Sequence, residues 1–188
     1  MIARGLQMVS LALALLAAAA AAAPLQPGTV HDFSFRDIDG RDLGTAAGHI
    51  TVIAVTTRAQ EEEARAISKL MPDHCLGDSK YRYVTLVNFE GKLPAPLRGL
   101  TRVIIRNRLD AEAHQLKSKY EAKQIMRDPR KDIYVIADFD GDAVTRLGLS
   151  PDSTDASVFL FGSRGKLLAR WTGVPPEEAF VKALESAE

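Results

Sequence analysis

Two hydrophobic periods alternate along this chain. His49-Ile-Thr-Val-Ile-Ala-Val-Thr56 is a β-branched run with little alternation, the pattern of a central strand covered on both faces. Tyr81 to Phe89 repeats it around Val84, Leu86 and Val87, and Asp132 to Phe139 repeats it through Ile-Tyr-Val-Ile-Ala. Between these runs the period lengthens to that of a helix. Gln60 to Met71 opens on Glu61, Glu62 and Glu63, carries Lys69 in its last turn and meets Pro72, a charge order that complements a helix dipole. From about Pro96 to Lys123, Ile105, Leu109, Ala113, Leu116 and Tyr120 recur three and four residues apart and form one apolar stripe.

Shorter signals complete the order. Val30 to Phe35 alternates as a short strand, Asp37-Ile-Asp-Gly40 is turn chemistry, and Leu43 begins the return. Asp142 to Leu147 reads as a brief helix with Asp142 as its cap. Ser157 to Phe161 and Lys166 to Trp171 flank Gly162-Ser-Arg-Gly165, a hairpin signal, and Pro175-Pro-Glu-Glu178 opens a final helix. Parallel strands joined by crossover helices, followed by an antiparallel hairpin, predict an α/β domain of three layers, α/β/α, with a mixed central sheet. No repeat or linker divides it.

The first residues change the picture of where this domain resides. Arg4, the apolar stretch Met8 to Leu16 and the following alanines have the form of a secretory signal, with cleavage near Ala21 or Ala22. We therefore expect residues 1–22 to be a signal peptide, residues 23–188 to be the working domain, and the location to be periplasmic or secreted. The apolar stretch is also long enough for an uncleaved anchor, the alternative reading. Basic and acidic residues balance at 24 each, and loss of Arg4 leaves a nearly neutral domain. Such a domain has no electrostatic grip on nucleic acid or on an anionic membrane, and no stable membrane insertion is expected after cleavage. One cysteine, Cys75, cannot form an internal disulfide, so stability rests on packing.

The element order resembles a thioredoxin-like domain of the redoxin or peroxiredoxin type. Phe33-Ser-Phe-Arg-Asp-Ile-Asp-Gly-Arg-Asp-Leu43 resembles its opening hairpin, and Val158 to Gly173 its closing one. Tyr81-Arg-Tyr-Val-Thr-Leu-Val-Asn88 with Leu93-Pro94, Asp138-Phe-Asp-Gly-Asp-Ala-Val144, and Trp171-Thr-Gly173 with Pro176-Glu-Glu178 are similar to the YtfJ family of small periplasmic proteins. The resemblance implies a redox site at the junction after the first central strand. That junction here reads Thr57-Arg-Ala-Gln60, without cysteine, so neither a dithiol pair nor a peroxidatic thiol carries over. The facing loop, which in such domains usually holds a cis-proline, reads Asp155-Ala-Ser157.

These absences shape the functional expectation. A helix start favours anions through its free N–H groups. Thr57, Arg58 and Gln60 together with Asp155, Ala156 and Ser157 are the candidate binding surface, for a protein or a small anionic ligand. The leading expectation is an exported binding or interaction module without dithiol chemistry and without a cofactor. The alternative is a single-cysteine redox protein, peroxiredoxin- or oxidoreductase-like, using Cys75. His74 precedes it, and an imidazolium can activate a thiol, although a packing role is more ordinary for a lone cysteine. His31, His49 and His114 are scattered singly, so no metal site is expected. Asp138-Phe-Asp-Gly-Asp142 resembles a calcium loop but has its glycine at the fourth position and leucine at the twelfth, so it reads as a turn. Arg98, Arg102 and Arg106, four apart, form a stripe whose ordinary role is a solvated helix face.

Overall fold

The computed structural model describes residues 24–187; the expected signal segment and its cleavage positions lie outside them. Five strands form the central sheet: β3 (Ile50–Thr57), β4 (Tyr81–Asn88), β5 (Tyr134–Asp138), β6 (Ser157–Phe161) and β7 (Leu167–Thr172), in the order β5-β4-β3-β6-β7. The first three are parallel, whereas β6 and β7 run antiparallel, so the sheet is mixed as the pattern predicts. β3 lies in the middle, and its residues from Ile50 to Thr56 are all buried, which accounts for its unbroken β-branched run.

Alternation along the strands divides the core into two faces. Ile53, Val55, Val84, Leu86, Ile136, Phe159 and Phe161 point to one side. There they meet the hairpin β1 (Ser34–Arg36) and β2 (Asp42–Gly44) and the short helix α3 (Asp142–Arg146) through Phe35, Leu43, Ala143 and Val144. Ile50, Val52, Ala54, Tyr81, Val158 and Leu160 point to the other, against α1 (Glu61–Lys69) and α4 (Glu177–Glu185) through Ile67, Phe180 and Leu184. The long helix α2 (Ala95–Ala122) covers β4 and β5 on that same side, where Leu109 joins Val135 with Ile105 and Val87 against them. Helices on both faces of a mixed sheet give the three-layer α/β/α architecture.

Two details fix the loops. The tip of the β1–β2 hairpin wraps the β5 edge, where the Ile38 N–H donates to the Val135 carbonyl at 2.8 Å. In the closing hairpin, Gly165 has φ +76°, and a Cβ there would stand 2.5 Å from the His31 carbonyl oxygen, so the turn admits only glycine.

The arginine stripe is more tied down than a plain solvated face: Arg102 and Arg106 are exposed as expected, yet all three arginines also find partners on the body of the domain. Arg98 makes two bonds to Asp140, at 3.0 and 2.6 Å, and Arg106 donates twice to the Ile38 carbonyl, at 3.1 and 2.6 Å. The Arg102 guanidinium lies 4.8 Å from the centre of the Phe139 ring. All three turn back toward the sheet and latch α2 to the hairpin tip and to the turn after β5. Their charged heads find carbonyls, a carboxylate and a ring.

Candidate functional site at the carboxyl edge of the sheet

In parallel sheets, sites form beyond the carboxyl ends of the strands. Here the register aligns Thr57 of β3 with Asn88 of β4, and Asn88 with Asp138 of β5, so a polar row ends three adjacent strands. The Asp138 and Asn88 side chains act on the loops around them, and Thr57 is held through its backbone. Asp138 is buried, and its two carboxylate oxygens accept from the Gly141 and Val144 N–H groups at 3.0 and 2.9 Å. Asp138 therefore caps α3, not Asp142 as the sequence suggested; Gly141 occupies the N-cap and Asp142 is exposed in the first turn. The same two bonds occupy the carboxylate that a calcium loop would have offered to metal.

Asn88 accepts from the Glu90 N–H and donates from its amide to the Pro151 carbonyl, both at 2.7 Å. Gly141 has φ +83°, and a Cβ on it would lie 2.8 Å from the Pro151 Cβ, so strand end, glycine and proline fit together closely. Gln60 makes the third tie. Its side-chain oxygen accepts from the Thr57 N–H at 2.8 Å, and its side-chain nitrogen donates to the Thr154 carbonyl at 2.6 Å. The segment 150–155 is thus strapped across the junction by two side-chain amides. A cavity of about 10 Å³ remains beneath it, lined by Thr56, Thr57, Asn88, Ser153 and Asp155 among others, room for one water.

Of the predicted surface residues, Thr57 and Gln60 meet the loop at Asp155, whereas Ala156 and Ser157 are not at the surface. Thr57 is half-buried, Gln60 bridges to the facing loop, and Asp155 is exposed beside them. Ala156 and Ser157 are buried: Ser157 pairs with Val55 of β3 and Thr172 of β7, and both residues belong to the sheet's interior. Arg58 is exposed, with its guanidinium 5.9 Å from the centre of the Phe89 ring. Phe89 in turn packs on Phe139 at 4.7 Å, so a ring pair connects Arg58 to the Arg98 and Arg102 latches. Glu61, Glu62 and Glu63 fill the first turn of α1 and already answer its dipole.

Cys75 lies elsewhere. It ends a 3-10 turn, Asp73–Cys75, and is buried in the cluster that includes Ile50, Ile67, Tyr81 and Phe180. The Asp78 N–H bonds to the Cys75 carbonyl, the Tyr81 N–H to the Asp78 carbonyl, and the Ile50 N–H to the Lys80 carbonyl. This relay places the turn at the amino ends of β3 and β4. Thr57 is at the opposite end of β3, about 23 Å from Ile50 at the usual rise per strand residue. His74, the proposed activator, packs its ring edge-on against Tyr81 at 5.8 Å.

Asn88 and Asp138 were missed as site organisers by the sequence reading, although both stand at the last position of a strand-like run. Among the described residues, no group of three or more His, Cys, Asp or Glu converges as a metal site. None of their helices is long and apolar enough to cross a membrane.

Solved structures share this architecture. A peroxiredoxin-like protein from Aquifex aeolicus aligns with TM-score 0.53 at 12% identity, over 89% of this chain and 91% of its own. The fold is thioredoxin-like. A proposed thiol:disulfide interchange protein DsbE from Chlorobium tepidum aligns with TM-score 0.53 at 13% identity, over 87% and 98% of the two chains. BsSco, a member of the Sco family of cytochrome c oxidase assembly proteins, gives 0.52 at 14% identity, over 87% and 95%. These identities speak for the thioredoxin-like fold alone. No protein-family model matches the chain, and no curated protein matches it in sequence.

Proposed function

We propose that this chain is an exported thioredoxin-fold protein of the YtfJ kind that works by binding a partner protein, without dithiol chemistry. In this reading, residues 1–22 are removed on export and residues 23–188 work in the periplasm or outside the cell. The observation that carries it is the separation of the only thiol from the junction. Thiol exchange needs a thiolate that a partner disulfide can approach in line, and Cys75 is enclosed by apolar side chains at the other end of β3.

What the junction offers instead is a surface. Gln60 and Asn88 hold the 150–155 segment in place, so the face formed by Thr57, Arg58 and Asp155 is preorganised. Arg58 makes no ion pair among the described residues, and its planar guanidinium on Phe89 suits a carboxylate or a carbonyl of a partner. The three glutamates in the first turn of α1 disfavour a small free anion at the helix start and leave a protein as the better fit.

The test is turnover of insulin disulfides and of peroxide by the mature protein, beside capture of partners from the exported fraction by native and Arg58→Glu protein. We expect no turnover above the buffer rate, and capture that is lost in Arg58→Glu and kept in Cys75→Ser. Turnover that disappears in Cys75→Ser would overturn the proposal and establish the single-cysteine redox alternative.

A further inference from the structure

A second site stands apart from the junction, at the β5 edge of the sheet. The hairpin tip, the middle of α2 and the 3-10 turn Pro129–Asp132 converge on an open cleft of about 360 Å³, lined by Asp39, Arg41, Arg106, Asp110, Arg130 and Lys131. Its wall thus carries four cations against two carboxylates, within a domain that is nearly neutral overall. Asp37 lies beneath, its oxygens taken by the Asp39 and Arg41 N–H groups and by the Arg41 Nε at 2.6 Å.

Counting donors shows where the charge is left over. Arg41 is a fixed strut: beyond Asp37 it donates to the Lys131 and Ile133 carbonyls at 2.9 and 2.5 Å. Arg130 uses Nε on Asp110 at 2.8 Å and Nη2 on Asp39 at 3.0 Å. Arg106 uses Nε and Nη2 on the Ile38 carbonyl. A guanidinium has five N–H donors, so Nη1 of Arg106 and Nη1 of Arg130 keep theirs without a protein acceptor among the described residues. The Lys131 ammonium likewise makes no side-chain contact there. Arg130 is held in place by its two carboxylates and Arg106 by a carbonyl, so little rotamer freedom remains to be lost when an anion arrives.

We propose that this cleft binds a phosphate group, held by Arg106 and Arg130 Nη1 donors and by Lys131. With Asp37 counted, the cations exceed the carboxylates by one, which favours an anion, and planar guanidinium groups match the oxygen geometry of phosphate. Asp39 and Asp110 orient the arginines and set a lower limit on specificity, because they repel any anion that does not reach the unused donors. The site goes beyond the partner-binding surface at Arg58 and does not depend on it.

The experiment is a titration of the mature protein with inorganic phosphate and, separately, with glycerol phosphate, by amide NMR and calorimetry at low ionic strength. Potassium chloride at matched ionic strength is the control. Saturable one-to-one binding, with shifts centred on Asp39, Arg106 and Arg130, is expected. Lys131→Glu touches no fold-holding contact of its side chain and should weaken binding about tenfold or more, as loss of a charge-assisted bond does. Arg106→Gln should weaken it similarly, with melting temperature measured as the fold control. Tighter binding of the ester identifies an esterified ligand, and equal or tighter binding of inorganic phosphate identifies the free ion. No saturation above the chloride control, or binding undiminished in Lys131→Glu, overturns the proposal.

Discussion

The two ends of β3 are built on opposite principles. At its carboxyl end, Thr57, Asn88 and Asp138 form a polar row, and the side chains of Gln60, Asn88 and Asp138 tie down the loops around it. At its amino end, Ile50, Tyr81, Ile67 and Phe180 enclose Cys75 in an apolar cluster. A redox protein of this fold needs the sulfur where the polar row is. Here the polar end has geometry without a thiol, and the thiol end has packing without access. The difference teaches that sharing a fold with thiol enzymes fixes where a site can stand, while the side chains decide what stands there.

The polar end is broken most severely through Asp138. Asp138→Ala removes both acceptors at the start of α3 and leaves buried N–H groups without partners. A loss of about 3 kcal/mol in denaturant unfolding is expected, because an unsatisfied buried donor costs about 1–3 kcal/mol. A loss no larger than that of an exposed aspartate would show that the cap does not hold this end.

Gln60→Ala acts on the same end more gently. It frees the Thr57 N–H and the Thr154 carbonyl, both near solvent, at a cost of about 1 kcal/mol. Amide exchange should speed up across 150–155 and stay unchanged around Cys75, since the two ends share no hydrogen bond of Gln60. Faster exchange at both ends would mean that they are one cooperative unit.

The apolar end is probed by alkali. Burial pushes the Tyr83 hydroxyl above the ordinary tyrosine range, and burial followed by the bond to Asp132 does the same for Tyr120. Above about pH 10 the unfolded chain releases these protons while the folded chain retains them, so stability is full below that pH and falls as pH rises. Tyr83→Phe should be nearly neutral at pH 7, because the buried Tyr83 hydroxyl has no hydrogen-bond partner among the described residues, and it should reduce the alkaline loss. An unchanged alkaline profile in that variant would assign the loss to Tyr120 and the α2 side of the sheet.

Legibility in the sequence followed contact range. The β3 run, the Leu109, Ala113 and Tyr120 stripe and the Gly162 to Gly165 turn are local patterns, and each took its expected form. The place of the junction was also legible, because a strand running into an acidic helix start marks the sheet edge. What escaped depends on partners far along the chain. Arg98 finds Asp140 across 42 residues, Arg106 finds Ile38 across 68, and Arg41 finds Ile133 across 92. A four-residue spacing of arginines says which helix face they share, not which way that face turns. Asp138 and Asp142 both stand near the start of α3, and only burial of the first decides which one caps it.

The contrast between the two ends rests finally on access to one sulfur. The direct measurement is the rate at which a neutral thiol reagent labels Cys75 in the native mature protein, compared with the same chain in denaturant at equal pH. With Cys75 only 7% exposed, labelling should be slowed by two or more orders of magnitude and should follow the opening of the structure as denaturant is added. Labelling of the native protein at nearly the unfolded rate would put the thiol at the surface and contradict the account.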